Sequence, residues 1–311
     1  MDEKWISICC ITYNQEKYII DAIESFLRQT IIGHCEILIH DDASQDNTVN
    51  IIKSYVEKYP NLIKFYGESK NQYQQGKQPM QKLFEQAKGK YIALCEGDDY
   101  WIDPYKLEKQ FDFMEIHKQY SMCFHASKIY NQKIKQFLKS QHAYPNDCKS
   151  NIKDIIIKDG GFVPTASIFC RTDIVKRIPK FYYNYTIGDY SLQVILAANG
   201  EVYYMDEEMS VYRRYTENSL VCEFYSNKKN EIMMYRSMSN MLHDFSEYSN
   251  GKYDKIVEYK RDYYEYKILE TKNQLFKILM SPYRKFLFKQ PIKQMIKTIL
   301  KCIFSYCHIS L

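Results

Sequence analysis

Three carboxylates in four positions, Glu96, Asp98 and Asp99, follow directly on an apolar run from Tyr91 to Cys95. Like charges this close repel and raise each other's pKa, so the arrangement calls for something positive to offset it. A hard divalent cation does that, because Mg²⁺ or Mn²⁺ takes oxygen ligands, commonly one or two carboxylates plus the phosphates of a bound molecule. A solvated turn capping the next helix before Pro104 would also account for an isolated acid pair. Two features favour the cation: the cluster ends a segment that reads as buried, and a second pair, Asp41-Asp42, stands at the end of another apolar run. Phosphate-cradling glycine loops do not compete, since neither G-x-G-x-x-G nor G-x-x-x-x-G-K-[ST] occurs.

The elements that must position these acids alternate along the first half. Trp5–Thr12 reads as a short buried strand. Glu16–Arg28 has a helical apolar pattern, with Ile19, Ile20, Ile23, Phe26 and Leu27. Strands follow at Cys35–His40, Leu62–Tyr66 and Tyr91–Cys95, separated by a helix that Asp46 is placed to cap, ending near Lys58, and another over Met80–Ala87. This alternation predicts an α/β fold with a parallel sheet flanked by helices on both faces. Ligands on such sheets bind at the carboxyl ends of the strands. Thr12-Tyr13-Asn14, Asp41-Asp42 and Glu96–Asp99 are all at such ends. From about 120 to 215 the pattern is more mixed, with a strand expected over Ala166–Cys170 and a helix around Tyr190–Ala198. Beyond about 220 it becomes helical and heavily charged.

The chain has 311 residues, 45% hydrophobic and 26% charged, enough to bury a sizeable core. Its ten cysteines form no C-x-x-C pair, and several, including Cys9, Cys10, Cys95 and Cys170, lie in apolar runs as small buried hydrophobes, which suits a reducing compartment. The Met-Asp-Glu-Lys-Trp start does not read as a signal peptide, and no stretch reaches the length of a membrane span.

Three segments together resemble family-2 glycosyltransferases of the GT-A fold. ISICCITYNQEKYIIDAIESFLRQT is similar to that family's opening strand and helix, EILIHDDASQDNT to its second strand and Asp-Asp turn, and GKYIALCEGDDYWIDPYKLEKQ to its D-x-D region. The likeness runs over about residues 5 to 215. It implies a GT-A domain over 1–220, with a mixed, mainly parallel sheet, and a helical extension over 221–311. It implies that Ile11 and Tyr13 line a nucleotide base, that Asp42 hydrogen-bonds the base and that Asp41 supports its loop. Asp98 and Asp99 are then the metal-binding acids, with Mg²⁺ or Mn²⁺, and Asp99 an alternative ribose ligand. Glu96 stands where the family usually has Asp, and its longer arm can reach the ribose or a water.

TIGDYSLQVILAANGEVYYMDEEMSVYRRY resembles the acceptor-side region, which puts Asp189 in the position of the catalytic base. An ordinary helix N-cap would look the same. Asp206 and Glu207 look instead like a solvated strand end. Arg213 and Arg214 would steady a diphosphate, with Tyr215 where the family often has His two residues after its Arg, if Arg213 is that Arg. Thr165 and Ser167 match a segment near the acceptor, or a plain strand. The activity so implied is inverting transfer of a sugar from a nucleotide-diphosphate donor to a hydroxyl of a saccharide or lipid-linked saccharide, as in bacterial surface polysaccharide or glycolipid synthesis. The alternative is a catalytically inactive, sugar-nucleotide-binding partner of a membrane assembly.

Charge divides unevenly along the chain. The net +5 is made of +8 over residues 271–311, which contain no Asp or Glu, and −3 over the rest. Within that tail Ile292, Met295, Ile296, Ile299, Leu300, Ile303 and Phe304 recur at helical spacing beside Lys293, Lys297 and Lys301. Such a helix suits the interface of an anionic bilayer, which predicts a cytoplasmic protein held peripherally at the inner membrane face. Packing of the stripe onto the protein itself is the alternative. No nucleic-acid module accompanies the charge, and nucleic acid is not an expected partner.

Overall fold

The computed structural model describes residues 5–306, apart from 186, 218, 220, 221 and 223 and the side chains of 304–306. It divides into two compact units, Met1–Ser219 and Leu220–Leu311. The boundary expected between 220 and 221 falls on residues outside the described set.

In the first unit β1 (Ile6–Thr12) lies between β2 (Cys35–Asp41) and β4 (Tyr91–Leu94), with β3 (Ile63–Gly67) outside β2, all parallel. β1, β2 and β4 are buried on both faces, which is why they read as continuous apolar runs and not as alternating ones. Short β9 (Phe169–Arg171) then joins β4 to β6 (Tyr120–Asn131), antiparallel to both. β6 in turn pairs in parallel with β10 (Glu201–Arg214), and β5 (Tyr100–Trp101) closes on β10 in antiparallel. The sheet is therefore mixed, with every long strand pointing the same way.

The first helix, α1, spans Ile19–Leu27 and buries Ile19, Ala22, Ile23 and Phe26. It starts three residues later than its pattern suggests. The Gln15 and Glu16 amides are bonded to Thr48 Oγ1 and Asp46 Oδ2, so this stretch is held as a turn. Ile20, expected on the apolar face, is 45% exposed, because it lies one residue and about 100° around the helix from Ile19. Asp46 accepts from the Thr48 amide at the start of α2 (Thr48–Lys58), although Asn47 occupies the formal cap position.

Two other expectations need correction. Ala166, placed in a strand, is in a 3₁₀ turn over Thr165–Ser167, closed by the Ser167 hydroxyl donating to the Pro164 carbonyl, and the strand begins only at Phe169. Asp206 and Glu207 do not end a strand but lie inside β10, where its register against β6 slips between Met205 and Glu208. Asp206 accepts there from His142 and Tyr204, and the slip turns both acids outward.

Beneath the acid turn, Trp101 is buried and donates Nε1–H to the Ala166 carbonyl at 2.8 Å. Lys106, in α4 (Lys106–Ile116), is wholly buried under that ring. Its Nζ is 4.1 Å from the ring centroid and 2.7 Å from Gln110 Oε1. Burial lowers its pKa from 10.5 to about 7. The unfolded chain thus holds an extra proton between these two values, and the lysine's cost to stability disappears as pH rises through that window. Lys106→Met should stabilise the protein at pH 7 and lose its advantage towards pH 10, by up to about 1.4 kcal/mol per pH unit, the slope for one proton. Urea unfolding of both proteins across that range measures it, and a pH-independent difference would refute the assignment.

Candidate active site

The carboxyl ends of β1, β2 and β4 are tied together by backbone bonds. The Asp42 amide donates to the Thr12 carbonyl at 3.0 Å, and the Gly97 amide to the Ile11 carbonyl at 2.9 Å. Gly97 keeps this approach close: a Cβ there would stand 2.5 Å from Gln15 Oε1, which would have to move, and 3.0 Å from the Thr12 side chain. The backbone also takes left-handed conformations at three non-glycine positions around the site, Asn14 (φ 52°), Ala43 (φ 68°) and Tyr215 (φ 63°). Such strain concentrates where surrounding structure dictates a conformation.

Glu96, Asp98 and Asp99 each place a carboxylate oxygen within 4.8 Å of the others. Asp99 is 2% exposed and the other two are half-buried. Burial raises the pKa of all three. Glu96 is pushed up to about 8, by burial first and then by the charges of Asp98 and Asp189. Asp189, close enough for its charge to act on Glu96, stands in the first turn of α7 (Gly188–Asn199), which follows the short helices α5 (Ile152–Lys158) and α6 (Thr172–Val175). Asp189 is not the cap residue, which is Ile187; its Oδ1 accepts from the Tyr190 amide, and burial raises its pKa. A Cβ on Gly160 would lie 3.3 Å from its Oδ2, so a glycine loop closes over this carboxylate.

The positive charge the acids call for comes from Arg213, at the end of β10. Its amide donates to Asp99 Oδ1 and its Nη1 to the Asp98 carbonyl, each at 2.8 Å. Nη2 pairs with Asp21, and the guanidinium lies over Tyr100 at 4.4 Å and Tyr18 at 5.3 Å. With 9% exposure and its donors so engaged, Arg213 braces the acid turn, whereas Arg214 is exposed. Thr216 Oγ1 completes the brace, donating to Asp98 Oδ2 at 2.8 Å. Neither Asp21 nor Thr216 carries a signal in the sequence, since each is an ordinary polar residue far along the chain from its partner.

The second acid pair is equally engaged. Asp41 is fully buried and accepts from the Ser44 amide and hydroxyl, closing the 41–44 turn. Asp42 accepts from the amides of Gln72 (2.5 Å) and Tyr73 (3.0 Å), so it pins the loop before α3 (Met80–Gln86). Ile11 and Tyr13 are half-buried at the end of β1 and just beyond it. Thr165 and Ser167 belong to the layer under Trp101, where the Ser167 carbonyl accepts from Gln110, and they contribute no group to the acid cluster.

Glu96, Asp98 and Asp99 are the residues that fit a divalent cation. They gather three carboxylates whose mutual repulsion a cation relieves, and among the described residues the Glu96 side chain accepts no hydrogen bond, while its carbonyl accepts from the Asp99 amide. Beside them Thr12 Oγ1 and Gln15 Oε1 are buried without a partner among the described residues, which leaves polar capacity next to the acids for a bound group.

Residues 7–178 match the family described as glycosyl transferase family 2. The chain belongs to that family. A Mycobacterium tuberculosis protein, named only as uncharacterized, is 33% identical over 211 residues, 68% of this chain and 59% of its own length, so the chain spans about six-tenths of that relative. Escherichia coli WfaP, named as a UDP-Glc:α-D-GlcNAc-diphosphoundecaprenol β-1,3-glucosyltransferase, is 35% identical over 129 residues, 41% of this chain and 47% of WfaP. Among solved structures, Staphylococcus aureus TarS 1–349 in complex with UDP-GlcNAc superposes with a TM-score of 0.62 at 18% identity, covering 96% of this chain and 81% of TarS. The fold of this family-2 member is thus GT-A.

Removing the brace should be costly. Arg213→Met removes the guanidinium from Asp21 and from the Asp98 carbonyl and takes its charge from beside Asp98 and Asp99, at a cost of about 1.5–3 kcal/mol, the range for a charge-assisted hydrogen bond. Adding Asp99→Asn should restore part of that loss. Chemical denaturation of the single and double variants measures the coupling, and additive effects would show that Arg213 does not offset these acids.

Proposed function

We propose that this protein is an inverting glycosyltransferase that moves a sugar from a nucleotide diphosphate to a hydroxyl of a saccharide or lipid-linked saccharide, in building a bacterial surface polysaccharide or glycolipid. The observation that carries the reading is the clustering of Glu96, Asp98 and Asp99 at the strand ends, with the charge of Asp189 near enough to act on Glu96. Family membership, the TarS complex with a nucleotide sugar and the lipid-diphosphate acceptor in the name of WfaP support it. The acceptor's chemistry makes the cytoplasmic face of the cell membrane the proposed place of action.

In this reading Ile11 and Tyr13 line the base, and Asp42 accepts from it with the lone pairs that the Gln72 and Tyr73 amides leave, next to the Asp41–Ser44 turn. Asp98 and Asp99 would hold Mg²⁺ or Mn²⁺, which supplies charge neutralisation for the departing diphosphate. Glu96, next to them, reaches the ribose or a water. Arg213 keeps the acid turn in register, and exposed Arg214 is available to the diphosphate, where a guanidinium fits phosphate oxygens. Asp189 accepts the proton of the attacking hydroxyl. Its raised pKa keeps the carboxylate basic enough for that task, and general base catalysis is worth about 10²–10⁴-fold. One base and direct displacement invert the anomeric centre.

Two measurements test this. Nucleoside-diphosphate affinity should require Mg²⁺ or Mn²⁺ in the native protein and become metal-independent and weaker in Asp98→Ala; equal affinities with and without metal in both proteins would refute the metal site. Asp189→Asn should bind donor like the native protein and lose transfer by about 10²-fold or more. Comparable turnover would reduce Asp189 to a helix-terminus residue.

A further inference from the structure

The second unit is a set of helices packed on one another. α8 (Lys228–Tyr248) and α9 (Asp254–Thr271) form a hairpin, turned through Asn250 (φ 51°) and Gly251 (φ 75°). α10 (Leu275–Leu279), α11 (Arg284–Phe288) and α12 (Ile292–Tyr306) pack on the end of α9, around Tyr266, Leu269, Ile278, Phe286 and Leu287. Glu270 is buried and accepts from Tyr266, Thr298 and Gln290, with Lys267 as its ion-pair partner. These bonds fasten α12 to α9.

α12 divides into three sectors. Successive helical residues advance about 100°, so with Ile292 at zero Thr298, Cys302, Met295 and Ile299 fall between about 240° and 340°. Those four are buried or packed on the unit's core. Ile292, Ile296, Leu300 and Ile303 fall between about 0° and 80°, by the same rule. They are 73%, 48%, 45% and 46% exposed. Lys293, Lys297 and Lys301 fall between about 100° and 180° and are exposed. Among the described residues no carboxylate pairs with any of these lysines, and residues 271–311 contain none. Phe304, expected on the stripe, has its side chain outside the described set. The stripe is therefore two faces. One is used up inside the unit, and the other is left in water beside a row of cations.

We propose that this second face docks on an anionic lipid surface, with Ile292, Ile296, Leu300 and Ile303 at the acyl boundary and Lys293, Lys297 and Lys301 at the headgroup phosphates. An apolar row flanked by charge of one sign is complementary to a bilayer that offers hydrocarbon beneath negative headgroups. Lysine stems are long enough to keep their ammonium groups at headgroup level while the row is immersed. No described helix is long and apolar enough to cross a membrane, so the contact is interfacial. α12 stays bonded to Glu270 as it docks, and the unit binds as a preformed body. The inference rests on the proposed function only for the location of the acceptor.

The test is co-sedimentation of the full chain with vesicles of pure phosphatidylcholine or of phosphatidylcholine with about a third phosphatidylglycerol, at low and high salt. Binding should need the anionic lipid and weaken without vanishing in salt, because screening removes the lysine contribution and leaves the apolar one. Lys293→Gln, Lys297→Gln and Lys301→Gln together should cost about a hundredfold, at roughly fivefold per lysine. Ile296→Glu with Leu300→Glu should abolish binding with an unchanged far-ultraviolet circular dichroism spectrum; Ile292→Ser with Ile303→Ser replaces that pair if its spectrum changes. Binding that survives the apolar substitutions, or no preference for anionic vesicles, overturns the proposal. So does sedimentation velocity showing that the row joins two copies of the chain while vesicle binding is unaffected. Nucleotide affinity, measured alongside, should not change in these variants, and a failure of Asp98 to bind metal would leave the vesicle result standing.

Discussion

Everything at the candidate site follows from putting three carboxylates at the end of one buried strand. Their repulsion must be balanced where water is scarce, and charge in a poorly solvated place is expensive unless paired and hydrogen-bonded. Arg213 supplies the fixed part of that balance, with Thr216 beside it. Burial still holds the carboxyl pKa values up, and at Glu96 the charges of Asp98 and Asp189 add to it. A cation bound among these acids would relieve what repulsion remains.

The sheet exists to make that balance geometrically possible. Residue 213 reaches residue 98 because β5 folds back against β10. Asp189 arrives by a separate route, at the start of the helix that enters β10. The β1 and β2 ends are locked to the β4 turn through backbone bonds and through the space left by Gly97. Glu96 and Asp189, far apart in the chain, thus come within each other's influence only because long parallel strands deliver their loops to one edge, as expected of open α/β sheets.

The helical unit shows the same economy with apolar surface. A single sequence stripe in α12 serves the unit's own core with one half and remains in solvent with the other. Periodicity alone merges the two halves, since it reports which residues share a side and not what covers them. The buried carboxylate of Glu270 decides the orientation, because Thr298 must turn inward to donate to it.

Strand and helix order in the first half, the acid pairs at strand ends and the family itself were all legible in the residues, since continuous apolar runs ending in clustered acids leave few arrangements that bury one and hydrate the other. Boundaries shifted where side chains captured backbone donors, as Asp46 and Thr48 do before α1, and where a serine hydroxyl closed a turn at 165–167. The Asp206–Glu207 slip was hidden because a bulge has no compositional mark. Local chemistry, then, was determined by the sequence: which segments are buried, where charge is crowded, and where cations lack counter-charges. Tertiary structure alone decided the partners. That Arg213 braces Asp98 and Asp99, that Asp42 holds the loop at 72–73, and which half of the α12 stripe faces water depend on contacts between residues distant in the chain, and spacing along a chain carries no distance in space.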